Sequence, residues 1–217
     1  AEDSGDVTQV PFTYEEIVSA LPAGPGFAEV SPETGVLSCS AGAYQVGTLS
    51  GIPEGVYLLE GAPDKESRYF LFEAVSGRAD PQKARYLYQS QNAYLGDHFV
   101  SLSDGDLIVY LPADDEDLMY DASAAPAHTQ EVLSSGMYRV GVDVPAGTYR
   151  IERDEGLVDV TSLEPGAYVM SASSFAEGTV VDERYVALGS NQTVDVRNGD
   201  WLELYGATAV LEGEPEP

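Results

Sequence analysis

One phrase is written twice in this chain. YRVGVDVPAGTYRI runs from Tyr138 to Ile151, and YQVGTLSGIPEGVYLL runs from Tyr44 to Leu59. Tyr44 and Tyr138 stand 94 positions apart, and so do two closing motifs, Asp104-Gly105-Asp106-Leu107 and Asn198-Gly199-Asp200-Trp201. A start and an end that match at one offset mark an internal duplication, and self-similarity of this kind constrains the fold before any local propensity does. The first copy carries two extra residues before Pro53-Glu54-Gly55-Val56-Tyr57, the counterpart of Pro145-Ala146-Gly147-Thr148-Tyr149.

Each copy reads as β structure. Pro-x-Gly is turn chemistry, with proline presetting φ and glycine suiting the end of a type I turn. Short apolar and polar alternation flanks it, so the phrase predicts strand, turn, strand, the first hairpin of a module. Asp104-Gly105 and Asn198-Gly199 are strong two-residue hairpin signals. Between the ends, Arg68–Val75 and Ala84–Tyr88 in the first copy, and Leu157–Val160, Ala167–Met170 and Thr179–Val181 in the second, read as further strands. Roughly five to seven strands per copy, at sandwich-like turn spacing, predict an all-β chain of two tandem small β-sandwich or jelly-roll-like modules. A single sandwich built from both copies is the other arrangement of the same strands.

The pieces outside the copies differ. Thr13-Tyr14-Glu15-Glu16 is a capping box, and it opens a short helix that Leu21-Pro22 stops. The expected organisation is an N-terminal segment with that helix over 1–35, a first repeat over 36–112, an acidic and Ala/Pro-rich linker over 113–131, a second repeat over 132–211 and an acidic tail over 212–217.

Charge narrows the function. Asp and Glu number 37 against 10 Lys and Arg, for a net charge of −27. Such a surface repels phosphate backbones and anionic headgroups, so nucleic acid and membrane-surface binding are not expected. It favours solubility, cationic partners and divalent metals. A single cysteine, Cys39, leaves no internal disulfide. No apolar run is long enough to span a bilayer, so membrane insertion is not expected. The chain opens on Ala1 and a polar stretch, which reads as a mature protein whose export signal has been removed. Val36-Leu37-Ser38-Cys39 is no lipidation box, because the residues before it are polar.

Val140-Gly141-Val142-Asp143-Val144-Pro145-Ala146-Gly147-Thr148-Tyr149 resembles a VGxDIPAGTY signature found, often in tandem, in secreted proteins and lipoproteins of Gram-positive bacteria. Those repeats usually close with a V-x-V-x-DGD-x-L-x-L motif, which the second copy also resembles. The first copy departs from the signature, with Leu49-Ser50-Gly51-Ile52 around the place of the aspartate. The resemblance spans roughly residues 36–211. It implies a β fold and an extracellular or cell-surface location, and no established activity.

The search for chemistry finds little. The two histidines, His98 and His128, and Cys39 are too few and too scattered for a transition-metal centre. Gly-x-Ser-x-Gly and the phosphate-cradling glycine loops are absent. Cys39 lies in a presumptive strand where the second copy carries Ser134 or Ser135, and reads as a structural thiol. No organic cofactor is implied. Calcium is the one metal worth considering, and Asp114, Asp115, Asp117 and Asp121 are its densest carboxylates, although their spacing is not an EF-hand loop. Tyr86 and Tyr88 alternate onto one strand face, as Tyr69 and Leu71 do opposite Phe70 and Phe72. Exposed tyrosines in a row can stack on sugar rings. These features predict a non-catalytic extracellular or cell-surface module for adhesion, ligand binding or spacing, with a glycan or another surface protein as partner. The alternative is a carbohydrate-binding or calcium-dependent carbohydrate-active enzyme. The sequence leaves the oligomeric state open.

Overall fold

The computed structural model describes residues 9–47, 51–78, 80, 83–156, 162–173 and 178–213. The fold is all-β with one short helix, α1 (Tyr14–Ala20). Nine strands precede residue 122: β1 (Ala28–Val30), β2 (Leu37–Cys39), β3 (Gly42–Gln45), β4 (Gly55–Leu59), β5 (Ser67–Ser76), β6 (Arg85–Tyr94), β7 (His98–Leu102), β8 (Asp106–Leu111) and β9 (Met119–Asp121). Eight follow: β10 (Val132–Leu133), β11 (Gly136–Arg139), β12 (Gly147–Arg153), β13 (Gly166–Met170), β14 (Val180–Tyr185), β15 (Asn191–Val196), β16 (Trp201–Tyr205) and β17 (Ala207–Gly213). The strand read over Leu157–Val160 lies outside the described residues.

The strands form four antiparallel sheets. Sheet I has the order β3-β8-β5-β6, sheet II β1-β2-β9-β4-β7, sheet III β11-β16-β13-β14 and sheet IV β10-β17-β12-β15. Strand for strand, sheet III repeats sheet I and sheet IV repeats sheet II, with β1 as the one addition. The duplication is therefore a duplication of topology. Within each copy the eight strands occupy the places first-eighth-third-sixth and second-seventh-fourth-fifth, the order of a jelly roll.

That topology corrects the reading of the repeated phrases. β3 and β4 lie in different sheets, as do β7 and β8, so neither the Pro-x-Gly phrase nor the Asp-Gly motif is a hairpin. Each is an arch that carries the chain from one sheet to the other. The local turn chemistry is as read: Gly105 and Gly199 hold φ of 94° and 95°, a conformation that L side chains rarely adopt. The two arches of each module lie together and clasp. Val46 N–H donates to Asp106 O at 2.8 Å and Gly105 N–H to Val46 O at 3.0 Å. In the second module Val140 N–H donates to Asp200 O at 2.9 Å and Gly199 N–H to Val140 O at 3.0 Å. The opening and closing motifs recur together because they bind each other.

A second device explains the tyrosines. In five places a residue, a spacer, a glycine, a spacer and a tyrosine follow one another, and the tyrosine hydroxyl donates to the carbonyl four residues back. The pairs are Tyr44–Ser40, Tyr57–Pro53, Tyr138–Ser134, Tyr149–Pro145 and Tyr168–Glu164, at 2.6 to 2.8 Å. The bond pins each strand start to the arch that feeds it. In two of the ties the glycine admits close backbone: a Cβ on Gly42 would lie 2.2 Å from Gly26 Cα, and one on Gly166 2.1 Å from Arg184 O.

The sheets stack in the order α1, I, II, III, IV. Sheets I and II enclose the first core, including Tyr44, Tyr57, Leu59, Tyr69, Ile108, Tyr110 and Met119. Sheets III and IV enclose the second, including Tyr138, Tyr149, Ile151, Val169, Leu202 and Leu204. The outer face of sheet I is covered by α1, where Ile17 packs with Ala43, Phe72, Leu107 and Val109. Thr13 caps that helix with Glu16 in the reciprocal capping box read from the sequence. The outer face of sheet III is covered by sheet II: Leu58 and Phe99 meet Met137, Met170 and Trp201, with Phe99 and Trp201 rings 5.5 Å apart. The Arg139 guanidinium lies 4.6 Å over the Phe99 ring, and the hydroxyls of Ser101 and Ser173 meet at 2.9 Å. The continuous apolar runs DLIVYL and GAYVM are thus strands buried on both faces.

Part of the span read as linker is core. Met119–Asp121 pairs with β2 and β4, and Met119 is fully buried. The acid run before it masked a strand too short to show alternation. The N-terminal segment also adds to the fold, with β1 on the edge of sheet II and Phe12 bridged to Tyr86 on the edge of sheet I.

Candidate functional site

The four carboxylates considered for calcium are not drawn to a point. Asp114 pairs with Lys65 at 2.6 Å, and its carbonyl accepts the Asp117 N–H at 3.1 Å. Burial, then the neighbouring Asp114, raise the Asp117 carboxyl above the usual aspartate range. Asp121 instead caps the turn at Ala122–Ala124, accepting the Ser123 N–H at 2.8 Å; the Ser123 hydroxyl and then its N–H lower the Asp121 carboxyl. Asp115 is exposed. Among the described residues no three His, Cys, Asp or Glu are grouped to hold a metal ion. The run is divided because β9 enters sheet II through it.

Tyr86 and Tyr88 do share a face of β6, but they fare differently. Tyr86 is buried under α1, and its hydroxyl accepts Gln45 Nε2 at 2.6 Å. Burial raises its phenol. Tyr88 is 39% exposed, its ring set edge-on against Phe72 at 5.8 Å between centroids. Beside it an apolar groove of about 440 Å³ opens between α1 and sheet I, lined by Phe12, Ile17, Leu21, Phe70, Phe72 and Tyr88. Phe12 is 43% exposed at its rim. The sequence pointed to Tyr88 by its spacing; Phe12 could not be found that way, because only the bridge to β6 brings it there.

Cys39 is fully buried, and desolvation pushes its thiol up to about 12, so it is a packing residue. It pairs with Met119 as Leu133 pairs with Ala209. Leu133, rather than Ser134 or Ser135, is therefore its counterpart.

The histidines lie on the seam between the modules. His98 is fully buried, with Nε2 3.2 Å from the Tyr69 hydroxyl and Nδ1 3.5 Å from Oε1 of Glu203 across the interface. Both Glu203 carboxylate oxygens are buried without a hydrogen-bond donor among the described residues. His128 lies in the connector, its ring edge-on to Tyr138 at 5.1 Å. It lines a cleft of about 300 Å³ together with Asp97, Gln130, Ser135, Met137 and Tyr138. A recess of about 170 Å³ on its other side reaches Phe99 and Asp143. Asp97 opens to solvent at the cleft mouth, yet the walls strip enough water from its carboxyl to raise it, with Glu60 and Asp117 adding repulsion. No helix among the described residues is long and apolar enough to cross a membrane.

No protein-family model, curated protein or solved structure matches this chain.

Proposed function

We propose that the chain is a non-catalytic extracellular or cell-surface binding module that takes saccharide rings in the groove beside α1. The observation that carries this reading is the pair of half-exposed aromatic rings, Tyr88 and Phe12, at the edge of a mainly apolar groove that Glu16 also lines. Sugar rings have an apolar face that stacks on such side chains. The double-sided packing of sheets I to III supports a rigid support for that groove. The resemblance of Val140–Tyr149 to secreted repeats supports a place outside the cell.

The alternative, a carbohydrate-active enzyme, needs two carboxylates in one cleft whose environments push their proton affinities apart. Asp97 has a raised carboxyl. The recess's other carboxylate, Asp143, is held at two points by Arg139, at 2.9 and 2.8 Å. That pairing favours binding over hydrolysis.

A glycan array probed with the wild-type protein and with Tyr88→Ala tests the reading. A retained glycan whose binding weakens roughly fivefold in the variant, the worth of about 1 kcal/mol for one aromatic contact, is the expected result. Retention of no glycan, or equal retention by both proteins, overturns it.

A further inference from the structure

The seam cleft belongs to neither copy alone. The turn at Gly96–Asp97 comes from the first module, Ser135 to Tyr138 from the second, and His128 and Gln130 from the connector between them. Met137 N–H donates to Asp97 O at 2.7 Å and fixes the two modules to each other at the cleft floor. A Cβ on Gly96 would stand 2.0 Å from Ser135 O, so only glycine lets the segments approach this closely.

Two oxygen-bearing side chains of the cleft, Asp97 and Ser135, have hydrogen-bonding capacity left over. The Asp97 carboxylate accepts one long bond, from Gly61 N–H at 3.3 Å. Ser135 is 3% exposed, and its Oγ has no partner among the described residues. A buried hydroxyl left unpaired costs about 1–3 kcal/mol. Among the described lining residues there is no lysine or arginine. Glu60 and Asp117, both of its own sign, repel the Asp97 carboxylate. Met137 and Tyr138 supply apolar wall.

We propose that this cleft binds a primary ammonium group carried on a short carbon stem. An ammonium donates three hydrogen bonds and one positive charge. Asp97 takes the charge-assisted bond, Ser135 Oγ takes a second, and the stem lies along Met137 and Tyr138. An anion is repelled by the carboxylates. A neutral hydroxyl satisfies Ser135 and leaves the charge of Asp97 uncompensated.

The test is titration of the intact protein with n-butylammonium and, separately, with the neutral isostere n-butanol, followed by calorimetry and amide chemical shifts. Glucosamine and Nα-acetyl-lysine methylamide, run in parallel, distinguish an amino-sugar source from a lysine source. The expected result is saturable binding of n-butylammonium with shifts centred on Gly96 and Gly136. Asp97→Asn weakens it about tenfold, the scale of one charge-assisted bond, and Ser135→Ala weakens it by a smaller factor. Glu33→Gln, which removes the same charge from the turn between β1 and β2, changes it less than twofold. Absence of saturation, equal affinity for n-butanol, or equal loss in Asp97→Asn and Glu33→Gln overturns the proposal. Should Asp97→Asn fail to fold, Ser135→Ala decides: an unchanged affinity there refutes the site.

Discussion

The buried pair at the module interface makes an asymmetric prediction. Glu203 occupies the place in β16 that Val109 holds in β8, 94 residues earlier, where Val109 packs under α1. The protein therefore contains its own apolar reference for this position. His98 is fully buried and Glu203 is 1% exposed. His98 Nδ1 and Glu203 Oε1 stand 3.5 Å apart, so each is the other's polar neighbour across a mainly apolar interface. Replacing His98 with leucine takes away the polar group that faces the buried Glu203 side chain at 3.5 Å. Stranding one member of a buried pair costs about 3–5 kcal/mol. For a chain of this size each kcal/mol moves the midpoint by roughly 2–4 °C, so His98→Leu lowers Tm by roughly 6–20 °C. Glu203→Val removes the orphaned oxygens and leaves the His98 ring beside the Tyr69 hydroxyl. Its expected effect is within about 1 kcal/mol of wild type, or stabilising, as replacement of buried ions by apolar groups often is. In the Glu203→Val background, His98→Leu then costs about 1 kcal/mol, a coupling of at least 2 kcal/mol. Thermal and denaturant unfolding of the four proteins measures the cycle. Additive losses, or a larger loss from Glu203→Val than from His98→Leu, refute the reasoning.

Four further outcomes follow from the same geometry. Asp97, Asp106 and Asp117 have carboxyls raised mainly by burial, so the folded state binds more protons than the unfolded one just above the usual carboxylate range, and stability rises as pH falls through it. Asp121 and Glu66 have lowered carboxyls whose contribution is lost at more acid pH; a Tm profile should peak at about pH 4–5, and a maximum at neutral pH contradicts this. Tyr149→Phe and Tyr57→Phe each remove one hydroxyl bond to a proline carbonyl and should each cost about 1 kcal/mol in chemical denaturation. Phe99→Ala empties the centre of the interface between sheets II and III and should cost about 3–5 kcal/mol. Thr13→Ala breaks the capping box of α1 and should cost about 1 kcal/mol, read as faster amide exchange in the helix with little change in the second module.

Much of the architecture was legible along the chain. The repeated phrases marked a duplicated β module, the capping box located α1, and the glycines at 105 and 199 announced tight turns. The same local signals misled on one point. A Pro-x-Gly or Asp-Gly turn bends the chain alike whether the next strand pairs with the last one or crosses to a facing sheet, and pairing depends on residues far away. β9 escaped notice because three residues cannot show a period. Of the candidate site, Tyr88 was visible in the spacing of β6, whereas Phe12 and the seam cleft draw on segments that only tertiary contacts bring together.

The copies share a written pattern: the turns and the tyrosine ties depend on residues within a few positions of one another, and the two arches that clasp across some 60 residues recur together in both copies. What separates the copies depends on their neighbours. The outer face of sheet I meets a helix, so Val109 and Leu107 sit there. The matching face of sheet III meets sheet II, so Glu203 and Trp201 stand in their places, opposite His98 and Phe99. Burial is set by whatever packs against a face. The stacking of one module on the other therefore decided which residues became core, which became a buried polar contact, and where a cleft was left open.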